Sequence, residues 1–316
     1  MSQHLHLAHT IHKHSTHLGW DRTIEPVRTA QSGDRLLFEC KDAAGGHFNA
    51  ESTAEDVGRM NPDLANPVTG PVFIEDAGPG DALKIVIEEF NPSGFGWSAI
   101  IPGFGLLADQ FTDPALKLWS YDTAAQLPAV FSSEAGVPLK PFIGTIGVAP
   151  AAPGRHSVIP PRRVGGNMDI RDLCAGTTLY LPVEVPGALL SIGDTHAAQG
   201  DGEVCGTAIE SAMDVVVSVE VVKNAAPKTP RFITEGPVTR HLDAKGYAVT
   251  TGVGPDLMQA AGDSVSSMID LLTGMTQMSA EDSYMLCSVC GDLRISEIVD
   301  APNWVVSFYF PRLVLG

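Results

Sequence analysis

The sequence predicts a mainly β, sandwich-like fold with a smaller C-terminal α+β part. Three observations carry that expectation. The 316 residues include 32 glycines and 23 prolines, a density of turn formers that suits many short strands joined by tight turns. Hydrophobic residues make up 44% of the chain and charged residues 18%, so a sizeable core can be buried. Beyond a segment with two prolines and a lysine at residues 225–230, the apolar period changes from extended to helical.

Taken in order, the chain opens on His4, His6, His9, His12, His14 and His17. So many histidines invite a metal reading, but their spacing is irregular and no carboxylate lies between them. A frayed polar strand is the plainer expectation. Trp20-Asp21 opens the ordered part. Glycine followed by an apolar run recurs at Gly33–Phe38, Gly80–Ile87 and Gly187–Ile192, with Pro before the last two. Glycine supplies the turn and the apolar run the pleated strand, so a duplicated β unit and chance recurrence both fit. Val215–Val222 reads as a well-buried strand.

Residues 1–224 are therefore expected as a β-rich domain, sandwich- or barrel-like, with residues 225–316 as an α+β part packed on it. There Leu257, Ala261, Val265, Met268 and Leu272 recur at helical spacing and predict an amphipathic helix over residues 256–273. Ser279 with Asp282 has the spacing of a capping box, opening a second helix to about Cys290. Arg294–Val299 and Trp304–Phe310 read as strands.

The formal charge of −17 repels phosphates, so nucleic acid is not expected as a partner. Arg155, Arg162 and Arg163 are too few to reverse that. The five cysteines are odd in number and irregularly spaced, which suits a reduced compartment. Cys287 and Cys290 fall within a predicted helix, with no second pair to complete a zinc site, so they read as small packing residues. No positive segment leads into an apolar run at the N-terminus. No apolar stretch approaches the roughly 20 residues of a membrane helix. A cytoplasmic protein without membrane contact is the expectation.

Chemistry concentrates at Gly165-Gly166-Asn167-Met168-Asp169 and at Ser191 to Glu203. Asp194 and His196 are two apart, so on an extended chain they share a face about 6.5 Å apart. Asn167 and Asp169 have the same spacing. Two glycines let the Gln199–Glu203 loop fold back and return Glu203 toward the pair, and Glu210 follows seven residues later. A catalytic zinc takes about three such ligands and leaves a position for water, whose pKa it lowers toward about 7. Asp and Asn beside Gly are also ordinary turn residues, and oxygen-rich ligation also suits calcium or magnesium.

The string Gly193-Asp194-Thr195-His196-Ala197-Ala198-Gln199-Gly200-Asp201-Gly202-Glu203 resembles the central signature of the acetamidase/formamidase family. So do Gly166–Arg171, Asn66–Pro71, Ile101–Leu107, Gly144–Pro150 and Gly291–Ser296, in the family's order, from about Trp20 to about Pro311. The resemblance implies a β-rich sandwich-like fold with a smaller α+β part, a homo-oligomer, and hydrolysis of formamide, acetamide or related short amides with a divalent metal. It points to Asn167, Asp169, Asp194, His196 and Glu203 as the polar centre.

On that footing Asp169, His196 and Glu203 are expected to hold the ion, zinc before calcium or magnesium, with Asn167 and Asp194 in or beside the coordination sphere. Asp194, Glu203 and Glu210 are the expected acid–base carboxylates, Asp194 or Glu210 passing the proton to the leaving nitrogen. Asn167, Trp97 and Phe104 are the expected substrate contacts; Leu106 and Leu107 wall the same pocket or pack in the core. The crowded histidines and His47 depart from the family's pattern. Two other readings stay open: a thiol nucleophile at Cys205 or Cys174, with no lysine nearby in sequence to activate it, and a β-sandwich that holds an ion and binds without catalysis.

Overall fold

In the computed structural model, which describes residues 9–124, 126–299 and 301–316, two six-stranded sheets face each other. The first has the order Thr10–Ile11, Arg35–Glu39, Met213–Val222, Ala82–Pro92, Thr178–Pro182, Arg231–Ile233. The second runs Gly165–Asn167, Phe142–Gly147, Leu190–His196, Val68–Ile74, Thr16–His17, with Arg28–Ala30 also paired to Val68–Ile74.

Period-two alternation explains the pairing. Along Ala82–Pro92, Leu83, Ile85 and Ile87 are fully buried while Lys84, Val86 and Glu88 are only partly so. They meet Leu36, Phe38, Val215 and Val217 of the same sheet and Val72, Ile143, Ile146 and Ile192 of the other. Each such side chain contributes about 1.5–3 kcal/mol when fully buried, so the sandwich is held mainly by this one apolar layer.

The C-terminal part is α+β. Helices Leu257–Met275 and Ala280–Cys290 pack with an antiparallel sheet ordered Tyr247–Gly254, Trp304–Pro311, Asp292–Glu297. Asp256 and Ser279 cap the helices, accepting from the backbone N–H of Gln259 and Asp282. The strand expected at Arg294–Val299 lies at Asp292–Glu297, because its ladder with Trp304–Pro311 starts at Asp292↔Tyr309. Val265, Met268, Leu272, Leu286 and Phe308 form a second core. Leu107 belongs to it, 2% exposed, and Leu106 packs against it. Cys287 and Cys290 are buried in the same helix as packing residues. Arg231–Ile233 pairs with Thr178–Pro182, so the first sheet takes a strand from beyond residue 230.

His4 and His6 lie outside the described residues. The others form no single cluster: His12 and His14 stack with ring centroids 5.4 Å apart, His9 faces Asp34 at 3.4 Å, His12 faces Glu39 at 3.3 Å, and His17 Nε2 lies 2.8 Å from Ser191 Oγ.

The Leu190–His196 strand ends in the sandwich, and the chain from Ala197 to Cys205 enters the second core. Gly200 donates its N–H to Ser288 O at 2.8 Å, and a Cβ on Gly200 would lie 1.8 Å from Gly291 O. Only glycine allows this approach, which seats the Gln199–Glu203 loop on the end of the second helix.

Candidate active site

Strand register assembles the site. Phe142–Gly147 lies between Gly165–Asn167 and Leu190–His196, with Thr145 opposite both Asn167 and Gly193. The backbone N–H groups of Met168 and Asp169 both donate to Gly144 O, folding Asp169 back over the strand. Glu210 arrives through isolated bridges to Trp97 and His196.

Four polar residues of the site have left-handed backbones: Asn66 (φ 50°), Asp169 (49°), Asp194 (50°) and Glu203 (43°). Such angles cost free energy outside glycine and persist only where surrounding contacts enforce them. At Asp194 the turn shortens the strand, so its Oδ1 comes within 3.1 Å of His196 Nε2. Gly144 makes room: a Cβ there would lie 2.6 Å from Asp194 O, 2.7 Å from Asp169 Oδ1 and 2.9 Å from His196 Cε1.

Two sets of three residues share the histidine: Asp169, His196 and Glu203; and Asp194, His196 and Glu210. Within each set the candidate ligand atoms lie within 4.8 Å of one another. Asp194, His196 and Glu210 are buried, whereas Asp169 and Glu203 are partly so.

The hydrogen bonds fix the tautomer. Gln199 Nε2 donates to Asp169 O at 2.7 Å. Its Oε1 therefore faces His196 Nδ1, 3.1 Å away, and accepts the Nδ1 proton. His196 Nε2 then points at Asp194 Oδ1 (3.1 Å) and Glu210 Oε2 (3.0 Å). One hydrogen serves at most one of them, and it goes to Asp194. Glu210 Oε2 and Asp169 Oδ1 are left buried without a hydrogen bond. Asp194 Oδ2 is instead well supplied, by Asn66 Nδ2 at 3.0 Å and Thr145 Oγ1 at 3.3 Å. Asn167 Oδ1 also accepts from Asn66 and Thr145, and its Nδ2 donates to Asp169.

Crowded carboxylates compete for too little positive charge. Burial raises Asp169 to about 7, and the Asp194 charge adds to it. Burial likewise raises Glu210 to about 7, against the pull of His196. Glu203 is pushed well above the usual carboxylate range by burial and by Asp169. Burial also works against Asp194, but the charge and hydrogen bond of His196 outweigh it and hold Asp194 low. For His196 burial favours the neutral ring, yet Glu210 and Asp194 raise it well above its ordinary value. The cluster thus takes up protons where a cation would otherwise balance it.

In front of these groups lies a cavity of about 290 Å³, lined by Asn66, Asn167, Asp169, Asp194, Glu203 and Glu210 at one end. Trp97 and Phe104 are also on its wall. Leu106 and Leu107 are not; they pack with the core, the second of the two places the sequence left open for them. His196 sits beneath, 1% exposed. Asn66, Thr145 and Gln199 join the site although spacing alone does not reach them. All three stand inside the quoted strings, Asn66–Pro71, Gly144–Pro150 and Gly193–Glu203, which is the available signal.

The thiols are elsewhere engaged. Cys205 is fully buried, its Sγ near Ala99 O and Thr207 O, and burial raises its pKa. Cys174 Sγ meets only Thr177 Oγ1, at 4.0 Å, among its recorded hydrogen bonds. His47 is exposed, its Nε2 at 2.9 Å from Asp56 O, away from the cavity.

Comparison with known proteins adds a lineage to this geometry. The profile of the Acetamidase/Formamidase family matches residues 5–156 and 151–315. A formamidase of Methylophilus methylotrophus is 26% identical over 364 residues, covering 93% of this chain and 88% of that one. The crystal structure of an acetamidase from Bacillus halodurans is 33% identical, with a TM-score of 0.68 over 95% of this chain and 96% of that one. A gamma lactamase from Delftia acidovorans superposes with a TM-score of 0.89 over 98% and 93% of the two chains; at 23% identity the likeness is one of fold.

Proposed function

The chain belongs to the acetamidase/formamidase family and is an amidohydrolase, and we propose that it hydrolyses short carboxamides to carboxylate and ammonia at His196 with the help of a divalent metal ion. The observation that carries the metal reading is the convergence of four carboxylates on one imidazole, with Asp169 Oδ1 buried without a hydrogen bond and Glu210 Oε2 left only its 3.0 Å contact with His196 Nε2. Such oxygens lose several kcal/mol of solvation, of order 1–3 kcal/mol each or more when charged, unless a cation or proton meets them. The donor set of one nitrogen and several carboxylate oxygens suits zinc, with calcium or magnesium as the oxygen-preferring alternatives.

Asp169, His196 and Glu203 would hold the ion. Gln199 keeps the Nδ1 proton on the far side of the ring, so that loss of the Nε2 proton directed at Asp194 would free that nitrogen's lone pair for the ion. An ion held there would supply a Lewis acid for the amide carbonyl and lower the pKa of a water molecule. Asn167 stays outside the coordination sphere in this reading, since both its amide groups are committed to neighbours.

Glu210 is the proton carrier. Ala208 N–H holds its Oε1 at 2.8 Å, which aims Oε2 at the site. It takes a proton from the attacking water and returns it to the amide nitrogen, so that the C–N bond breaks and ammonia leaves. Asp194, with its oxygens already engaged, orients His196. Trp97 and Phe104 contact the substrate from the cavity wall.

Elemental analysis of the purified protein tests the metal reading: about one divalent ion per chain is expected, lost in His196→Ala along with ammonia release. A metal-free protein that turns over fully would contradict it.

We further read the chain as a cytoplasmic homo-oligomer. Val249 and Val253, 45% and 60% exposed on the C-terminal sheet, support an interface there. Light scattering that returns the mass of one 33.4 kDa chain would remove that part.

A further inference from the structure

We propose that this pocket selects carboxamides with bulky apolar acyl groups, branched or aromatic, over formamide and acetamide. The proposal rests on the amidohydrolase reading above and specifies its substrate class.

Volume is the first argument. The cavity measures about 290 Å³, room for roughly ten waters at about 30 Å³ each. Acetamide fills only a small part of that. A pocket that leaves most of its space to water gives up the apolar contacts its walls could make.

The walls say what fills the rest. Met60, Pro62, Ile101, Phe104 and Ile159 face the cavity. Phe104 is 50% exposed and Ile159 40%. Large apolar side chains around an opening are stabilised when a ligand covers them. The ionisable groups, by contrast, all stand at the carboxylate end, and no lysine or arginine lines the cavity among the described residues. An anionic substituent would be repelled there and find no cation within this cavity; Arg155 lies only in the adjoining one. The fitting substrate is neutral, with its amide at the carboxylates and its acyl group against the apolar wall.

The mouth also has somewhere to lead. A second cavity of about 440 Å³ shares Pro62, Ala65 and Ile159 with the first and is also lined by Leu18 and Val158 and, further out, by Asp63 and Arg155. An acyl group reaching Ile159 is therefore not stopped by a closed end. Each methylene buried on such a wall strengthens binding roughly fourfold.

The test is kcat/KM for ammonia release from acetamide, isobutyramide and benzamide, using the full chain as purified with its metal content measured. The expected result is a rise of about tenfold or more from acetamide to isobutyramide or benzamide, from the added buried carbons. In Ile159→Trp, which narrows the mouth at a partly exposed position, the benzamide-to-acetamide ratio should fall about tenfold, with the melting temperature showing that the fold is kept. Acetamide matching or exceeding every bulkier amide would overturn the proposal while leaving the amidohydrolase reading intact. An Ile159→Trp variant that lowers both substrates equally would overturn the assignment of the acyl group to this wall. Failure to hydrolyse any amide would instead overturn the parent reading, and this one with it.

Discussion

Arg171 Nε reaches Asp201 at 3.3 Å, and each residue stands two positions from a carboxylate of the site, Asp169 and Glu203 respectively. The pair therefore ties together the two loops whose carboxylates meet at His196. Its other anchor is Asp292, fully buried and gripped by both terminal nitrogens of the guanidinium. Burial favours the neutral form of Arg171, but the charges of Asp292 and Asp201 outweigh it and keep the guanidinium protonated.

That geometry predicts a difference between two substitutions. Arg171→Lys keeps the charge but loses the planar fork, and should cost about 1–3 kcal/mol of stability. Arg171→Met leaves buried Asp292 only Arg294 Nη2 at 3.3 Å as a counter-charge and the Asp201 N–H at 3.4 Å, and should cost about 3 kcal/mol. Thermal melting reads both. Ammonia release should fall in Arg171→Lys as the loops loosen; full activity there would show that the tie is dispensable.

Gly144 makes a second prediction. A methyl group at this position meets Asp194 O, Asp169 Oδ1 and His196 Cε1 at once, all within 2.9 Å. Gly144→Ala should lose about 1–3 kcal/mol of stability. It should lose activity on the order of a hundredfold or more, since small displacements of reacting groups cost that much. Circular dichroism with a turnover assay separates the two effects. Wild-type turnover would mean that the three groups need not stay where they are.

Gln199 fixes the ring of His196 without entering the cavity. Gln199→Leu removes that hold and should weaken zinc binding by about 10- to 100-fold, measured by competition with a chromogenic chelator. Unchanged affinity would argue that His196 does not bind the ion through Nε2.

Cys205 is packed, not poised. Cys205→Ala should keep turnover within about threefold, with a stability loss of about 1–2 kcal/mol from the small cavity. Loss of turnover in a variant that still melts like the parent would bring back the thiol nucleophile.

How much of this was legible in the sequence depends on whether the signal is local. The helices at Leu257–Met275 and Ala280–Cys290 announce themselves through 3.6-residue spacing and the Asp256 and Ser279 caps. The Ala82–Pro92 and Met213–Val222 strands show in their apolar runs. Asp194 and His196 are legible as a same-face pair, but the left-handed turn at Asp194, which closes them to 3.1 Å, is not encoded in any local pattern. Asn66 reaches Asp194 across 128 residues, and Thr145 reaches Asn167 only once their two strands have paired. Leu107 and Phe104 look alike as apolar loop residues; only long-range packing sends one to the core and the other to the cavity.

The most direct test of the account is ammonia release from acetamide by the protein as purified, after exhaustive chelation, and after zinc is restored, with bound metal measured at each stage. The account predicts that turnover disappears with the metal and returns with it. Turnover that persists once the metal is gone would contradict it and leave Glu210 and its neighbours to activate water without an ion.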